Sequence, residues 1–181
     1  MFKSGWTIRG LVRGLAAAFV VLCIITLCLI ADPPRSFSER AESGRTVDIE
    51  KNDPVMRQAM DKGRSSLEQF LAKARNPAAD TAGYAVKIGI PAGRNTEYFW
   101  VNDFTAAGEK FTGKINNEPR YTSLVKLGQL YTFFREQIVD WTYLDTKAHK
   151  MYGNFTACAL LAKEPQADAE EFKQRYGLEC F

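Results

Sequence analysis

Gly14 to Ala31 reads GLAAAFVVLCIITLCLIA, eighteen residues without a charge and with one hydroxyl, Thr26. Wound as a helix, this run is apolar on every face and nearly long enough to cross a hydrocarbon core; Leu11 and Val12 lengthen it. Pro33 and Pro34 end it. Arg35 to Lys51 is polar and reads as a flexible tether. At Asp53 the pattern changes to a helical period. Asp53-Pro54 supplies a cap and a first-turn proline. Val55, Met56, Ala59, Met60, Leu67, Phe70 and Leu71 then make an apolar stripe. It predicts one helix to about Ala74, weakened at Gly63 and stopped at Asn76-Pro77.

Period-two alternation follows. GYAVKIGIP and TEYFWVNDFTA read as strands, AAGEK as a hairpin turn and KFTGKIN as the returning strand. NNEPRYTSLVKLGQ reads as a loop. LYTFFREQIVDWTYLD supplies one or two strands with a break near Glu136, and DTKAHK is a turn. NFTACALLAK fits a strand or a helix capped by Asn154. EPQADAEEFKQRYG is a helix, with acids early, bases late and Gly177 at its stop. The expected fold class is α+β: a small domain with a curved antiparallel sheet, one packing helix and C-terminal helices. An N-terminal transmembrane helix precedes it. The expected domains are 1–31, a cytoplasmic N-terminus and anchor; 32–52, a linker; and 53–181, an exported domain.

Charge placement refines this picture. Lys3, Arg9 and Arg13 precede the uncharged run, and the first acidic residue is Asp32. The positive-inside bias keeps the N-terminus in the cytoplasm and sends the rest across. Two other readings fit less well. Ala31 suits the −1 position of a cleaved signal, but Leu29 is large for −3. Leu22 and Leu27 are large for the residue before an acylated cysteine. From Asp32 onward the basic and acidic side chains balance, so the sequence offers no footprint for a nucleic acid.

Of four cysteines, Cys23 and Cys28 fall in the uncharged run. Cys158 and Cys180 fall in the exported part, where an even pair predicts a disulfide. If the last two segments form a helical hairpin, the two sulfurs meet. Closing a loop of this size is worth about 3 kcal/mol in the chain-entropy model. With no CxxC and one histidine, no metal site and no cofactor are expected.

His149 sits between two lysines in a turn and reads as a solvated loop residue. No GxSxG, phosphate loop or dinucleotide fingerprint occurs. Glu97, Glu118 and Asp140 lie at strand ends or in loops, where two of them could converge as an acid and a base. Glu118 and Asp140, with Lys87, are the catalytic candidates. Asp140 and Trp141 are strand neighbours and face opposite sides. Trp100, Trp141, Tyr98, Phe99 and Tyr143 are candidates for an aromatic cluster, in the core or at a binding surface.

YAVKIGI, EYFWV, FTGKINNEP, VKLGQ, IVDWTY and MYGNFT occur in the order that marks the YegJ-like bacterial family, domain of unknown function 2314. The chain resembles that family over about Asp53 to Ala162. The resemblance points to Lys87, Glu97, Trp100, Gly113, Asn117, Glu118, Pro119, Gly128, Asp140, Trp141, Gly153 and Thr156. It implies an architecture and no particular reaction. The chain departs from the family at Tyr98, where a histidine is frequent, and at Cys158, where an arginine is frequent. Both departures remove groups that an acid–base or anion site uses.

These readings predict a single-pass protein of the bacterial inner membrane, held through residues 14–31, with its C-terminal domain periplasmic or extracellular. That domain is expected to bind an envelope protein or a peptide. The expected binding residues are Glu97, Trp100, Asn117, Asp140, Trp141 and Tyr143. The alternative is a small carboxylate-dependent hydrolase-like enzyme.

Overall fold

A computed structural model describes residues 53–180 of the chain. The anchor expected at 14–31, the tether at 32–52, and Cys23 and Cys28 lie outside the described residues. Among the described residues, no helix is long and apolar enough to cross a membrane.

Helix α1 (Pro54–Ser65) starts where the cap signal placed it: the Asp53 carboxylate accepts from Met56 N at 2.9 Å. The single helix expected here is two. Ser66 leaves helical geometry, and α2 (Leu67–Arg75) follows. Gly63 is buried, and a Cβ there would stand 2.5 Å from the Val139 carbonyl oxygen. The glycine that costs helix propensity thus lets α1 touch a strand backbone.

Strands β1 (Thr81–Ala92), β2 (Asn95–Ala107), β3 (Lys110–Ile115) and β4 (Leu130–Phe134) form an antiparallel meander. A 3-10 turn, Arg135–Gln137, leads to β5 (Ile138–Asp145) and β6 (Lys150–Gly153). The sheet order is β4-β3-β2-β1-β5-β6, so β5 pairs with β1 across the meander. Strand β4 lies four spacings from β5, about 19 Å in a flat sheet. The stretch from Phe134 to Ile138 reaches at most about 14 Å. The sheet therefore curls. The 3-10 turn records the closure: Arg135 N donates to Glu109 O on the β2–β3 turn, and Gln137 Nε2 donates to Gly89 O on β1.

The inner side of the curl holds Val86, Ile88, Ile90, Phe99, Val101, Phe111, Ile115, Phe133, Ile138 and Trp141, closed by Leu67, Phe70 and Leu71 of α2. Phe70 stacks on Trp141 at 4.9 Å, and Tyr84, Tyr143 and Tyr152 stack in series at 5.2 and 4.9 Å. A second core joins α1 to the C-terminal helices α3 (Phe155–Leu161) and α4 (Gln166–Tyr176) through Met56, Ala157, Leu160, Leu161, Phe172 and Leu178. The segment left open between strand and helix is a helix. Gly177 ends α4 in the left-handed region, and the chain returns to bridge Met151 at Leu178. Cys158 and Cys180 are joined in a disulfide, with Cα atoms 5.4 Å apart.

Candidate functional site

The two cores meet along β5. Alternation sends Trp141 inward and Asp140 to the opposite face, in line with Lys87 on β1 and Trp100 on β2. The β1–β5 register slips between Lys87 and Ile88, leaving Val139 out of pairing. This bulge re-aims the residues beside it. Asp140 is fully buried. Its carboxylate accepts from Trp141 N at 2.8 Å, Phe155 N at 3.3 Å, Thr156 N at 2.8 Å and Thr156 Oγ1 at 2.7 Å. Three of these donors lie at the start of α3, where helix N–H groups lack partners of their own. Asn154, expected as the cap, makes no cap bond: its side chain donates to Met151 Sδ instead. An aspartate fourteen residues earlier in the chain does the capping.

Thr156 Oγ1 donates to Asp140 and accepts from Lys87 Nζ at 2.8 Å. The Lys87 ammonium lies 4.9 Å from the centre of the Trp100 ring, in cation–π range. A half-buried amine, a hydroxyl and a buried carboxylate thus form one chain. Burial pushes the Lys87 pKa down, opposed by the Asp140 charge. Burial also pushes the Asp140 pKa up, opposed by Lys87 and by its hydrogen bonds from Thr156 and Trp141. Burial thus works against the charged form of both groups, and each charge favours the other. Beside them Thr142 Oγ1 is buried without a partner.

A second constellation anchors the β3–β4 loop. Both Glu97 carboxylate oxygens are used, accepting from Arg120 N at 2.6 Å, Tyr121 N at 3.0 Å and Thr122 N at 2.9 Å. Asn117 Oδ1 accepts from Trp100 N at 2.8 Å, and Asn116 N donates to Trp100 O at the same distance. The loop is therefore strapped to β2 through the Glu97 carboxylate and the backbone of Trp100.

The structure joins Lys87, Asp140 and Thr156, and it joins Glu97, Trp100 and Asn117. Glu118 is exposed on the loop, whereas Asp140 is sealed at the β5–α3 junction. Trp141 and Tyr143 are core residues, with Trp141 Nε1 donating to Ser66 Oγ at 3.0 Å. His149 is exposed in the β5–β6 turn. Tyr98 lies over Gly89 and remains partly exposed. The family resemblance singled out Thr156 without a task for it, and the sequence reading assigned none to Ser66 or to the close approach at Gly63. Each acts on a partner far away in the chain, and no local pattern marks such a pairing.

As chemistry, the Asp140 cluster holds charge but offers no open nucleophile. The Thr156 hydroxyl is buried, and its proton is committed to Asp140. The group nearest solvent is the Lys87–Trp100 pair.

This α+β domain belongs to the family described as an uncharacterized protein conserved in bacteria, DUF2314, whose model matches residues 53–180. The chain is similar to the uncharacterized protein YegJ of Escherichia coli strain K12, 31% identical over 152 residues that cover 84% of this chain and 95% of the relative. No solved structure matches it.

Proposed function

We propose that the chain is a membrane-anchored envelope protein whose exported domain binds a protein or peptide on the outer face of the sheet around Trp100. The observation that carries this reading is the contrast between committed carboxylates and available aromatics. Asp140 is sealed and Glu97 is spent on loop backbone, while Tyr98 is 38% exposed and shares a strand face with half-buried Trp100. Exposed aromatics on a rigid strand are common anchors for a partner. The uncharged run at 14–31, with its preceding cations, supports the anchor, and the Cys158–Cys180 bridge supports export to an oxidising compartment. Burial of Asp140 weighs against the hydrolase reading, because it leaves the exposed Glu118 without the second reachable carboxylate that an acid–base pair needs.

Two experiments test the reading. Protease added to spheroplasts should digest residues 53–181 from outside; full protection would refute export. Cross-linking in cells should yield an adduct that Trp100→Ala removes while the melting temperature stays put. An adduct unchanged by both Trp100→Ala and Tyr98→Ala would place binding elsewhere.

A further inference from the structure

On the outer face of the sheet, two rings and two cations surround one patch of β1. Gly89 on β1 faces Tyr98 on β2, and a Cβ at Gly89 would stand 3.3 Å from the Tyr98 ring. The missing side chain lets that ring lie across β1. Two residues away on the same face, Lys87 faces Trp100, with Nζ 4.9 Å from the ring centre. The last turn of α1 comes in from the β5 side. Gly63 packs on the backbone of Val139 and Asp140, and Arg64 follows it. The Arg64 charge is felt at Tyr98: burial raises the Tyr98 pKa, and Arg64 opposes the rise.

Lys87 decides what this patch can take. An ammonium has three N–H groups. One donates to Thr156 Oγ1, and the Trp100 ring attracts the charge without supplying an oxygen acceptor. Asp140 acts on Lys87 through the Thr156 hydroxyl and not by direct contact. Its carboxylate is already occupied by Trp141, Phe155 and Thr156. Lys87 therefore keeps donor capacity where burial has removed much of its water. A donor in that position gains most from an ionised acceptor, because charge-assisted hydrogen bonds are the strong ones. Arg64 has Asp61 as a partner at 3.2 Å, on an exposed helix face. A pair so exposed is weak, and the guanidinium fork can take a second carboxylate.

We propose that this patch is the site for an aspartate or glutamate side chain of the partner, with its carboxylate between Lys87 and Arg64 and its methylene groups against Tyr98 and Trp100. The inference rests on the partner reading above and narrows it to an acidic segment. The rings supply contact area that any apolar group can use; the cations supply the choice. A basic side chain meets like charge there, and glutamine forgoes the charge-assisted bonds. A phosphate dianion meets twice the repulsion from Asp140 that a single carboxylate meets.

The test uses the full chain in detergent and a library of displayed random decapeptides, fused through their C-termini so that every carboxylate offered is a side chain. Peptides enriched over the Trp100→Ala chain should share an aspartate or glutamate beside an apolar residue. Replacing that acid with its amide in the synthetic peptide should weaken binding about tenfold or more. The Lys87→Met/Asp140→Asn chain, which leaves no buried charge unpaired, should show the same loss for the acidic peptide. Arg64→Ala should weaken the acidic peptide and not its amide, with an unchanged melting transition; should the double variant fail to fold, this result decides. Enriched peptides without an acid, or an amide that binds as well as the acid, would overturn the carboxylate site and leave the Trp100 face as a partner surface. No peptide enriched over the Trp100→Ala chain would overturn both.

Discussion

Asp140 and Trp141 are neighbours on β5, both buried, and they hold the protein together in opposite ways. Trp141 stacks on Phe70 and lies edge-on to Phe155, with its one polar atom satisfied by Ser66. Its contribution is apolar area and close packing, which any ring of similar shape supplies in part. Asp140 contributes direction: it receives the first N–H groups of α3, the Thr156 hydroxyl and, through that hydroxyl, the Lys87 charge. Apolar packing is tolerant and degrades by degrees, whereas a buried charged chain is stable only when complete.

The sharpest way to break this contrast is to remove one member of the polar chain. Asp140→Ala should cost about 3–5 kcal/mol, because it strands the Lys87 charge and uncaps α3. Trp141→Ala should cost a similar 3–5 kcal/mol as a cavity. The two separate on repair. Adding Lys87→Met to Asp140→Asn should recover part of the loss of Asp140→Asn alone, since no buried charge then remains unpaired. Denaturant unfolding of the single and double variants measures the coupling; strict additivity would mean that Lys87 and Asp140 do not act together. Gly63→Ala comes next, at about 1–3 kcal/mol, since the methyl group meets the Val139 carbonyl. It should lower the midpoint of unfolding with little change in slope.

The mildest effect is the pH dependence. The Asp140 pKa is raised above 3.8 in the fold, so its ionisation opposes folding. Its contribution is full below the unfolded pKa and is lost as pH rises through the folded one. The Lys87 pKa is lowered below 10.5, so its contribution grows as pH climbs from the folded value towards 10.5. Relative to the Lys87→Met/Asp140→Asn double variant, native stability should be lowest around neutrality and rise on both sides. A difference that shrinks in acid would show instead that Asp140 is held by attraction stronger than its burial penalty.

The same pair of residues explains which parts of the fold can be read from sequence. Strands β1 to β5 announce themselves by alternation, and the last helix by its acids, bases and terminal glycine. The cap of α3 does not, because Asn154 has the right type at the right position and a distant aspartate takes its place. The break at Ser66 is also silent: a serine in a helical stripe is ordinary, and only the position of the Trp141 indole gives it a task. Glu97 and Asn117 carried the right chemistry, but their partners are backbone N–H groups, of the loop for Glu97 and of Trp100 for Asn117, and backbone has no residue code. Cys158 and Cys180 were legible because the helical hairpin between them is short and regular.

The curled sheet also has a consequence in time. Strands β1 to β3 pair with sequence neighbours through two-residue turns and β4 joins β3 after a longer loop, so the meander can assemble early. β5 must then find β1 across the whole meander, bringing Asp140 to Lys87 across a sequence separation of 53. Long-range pairing of this kind is slow relative to local pairing. Substitutions at the β1–β5 seam should therefore mainly accelerate unfolding, whereas those in the β1–β2 hairpin should slow refolding.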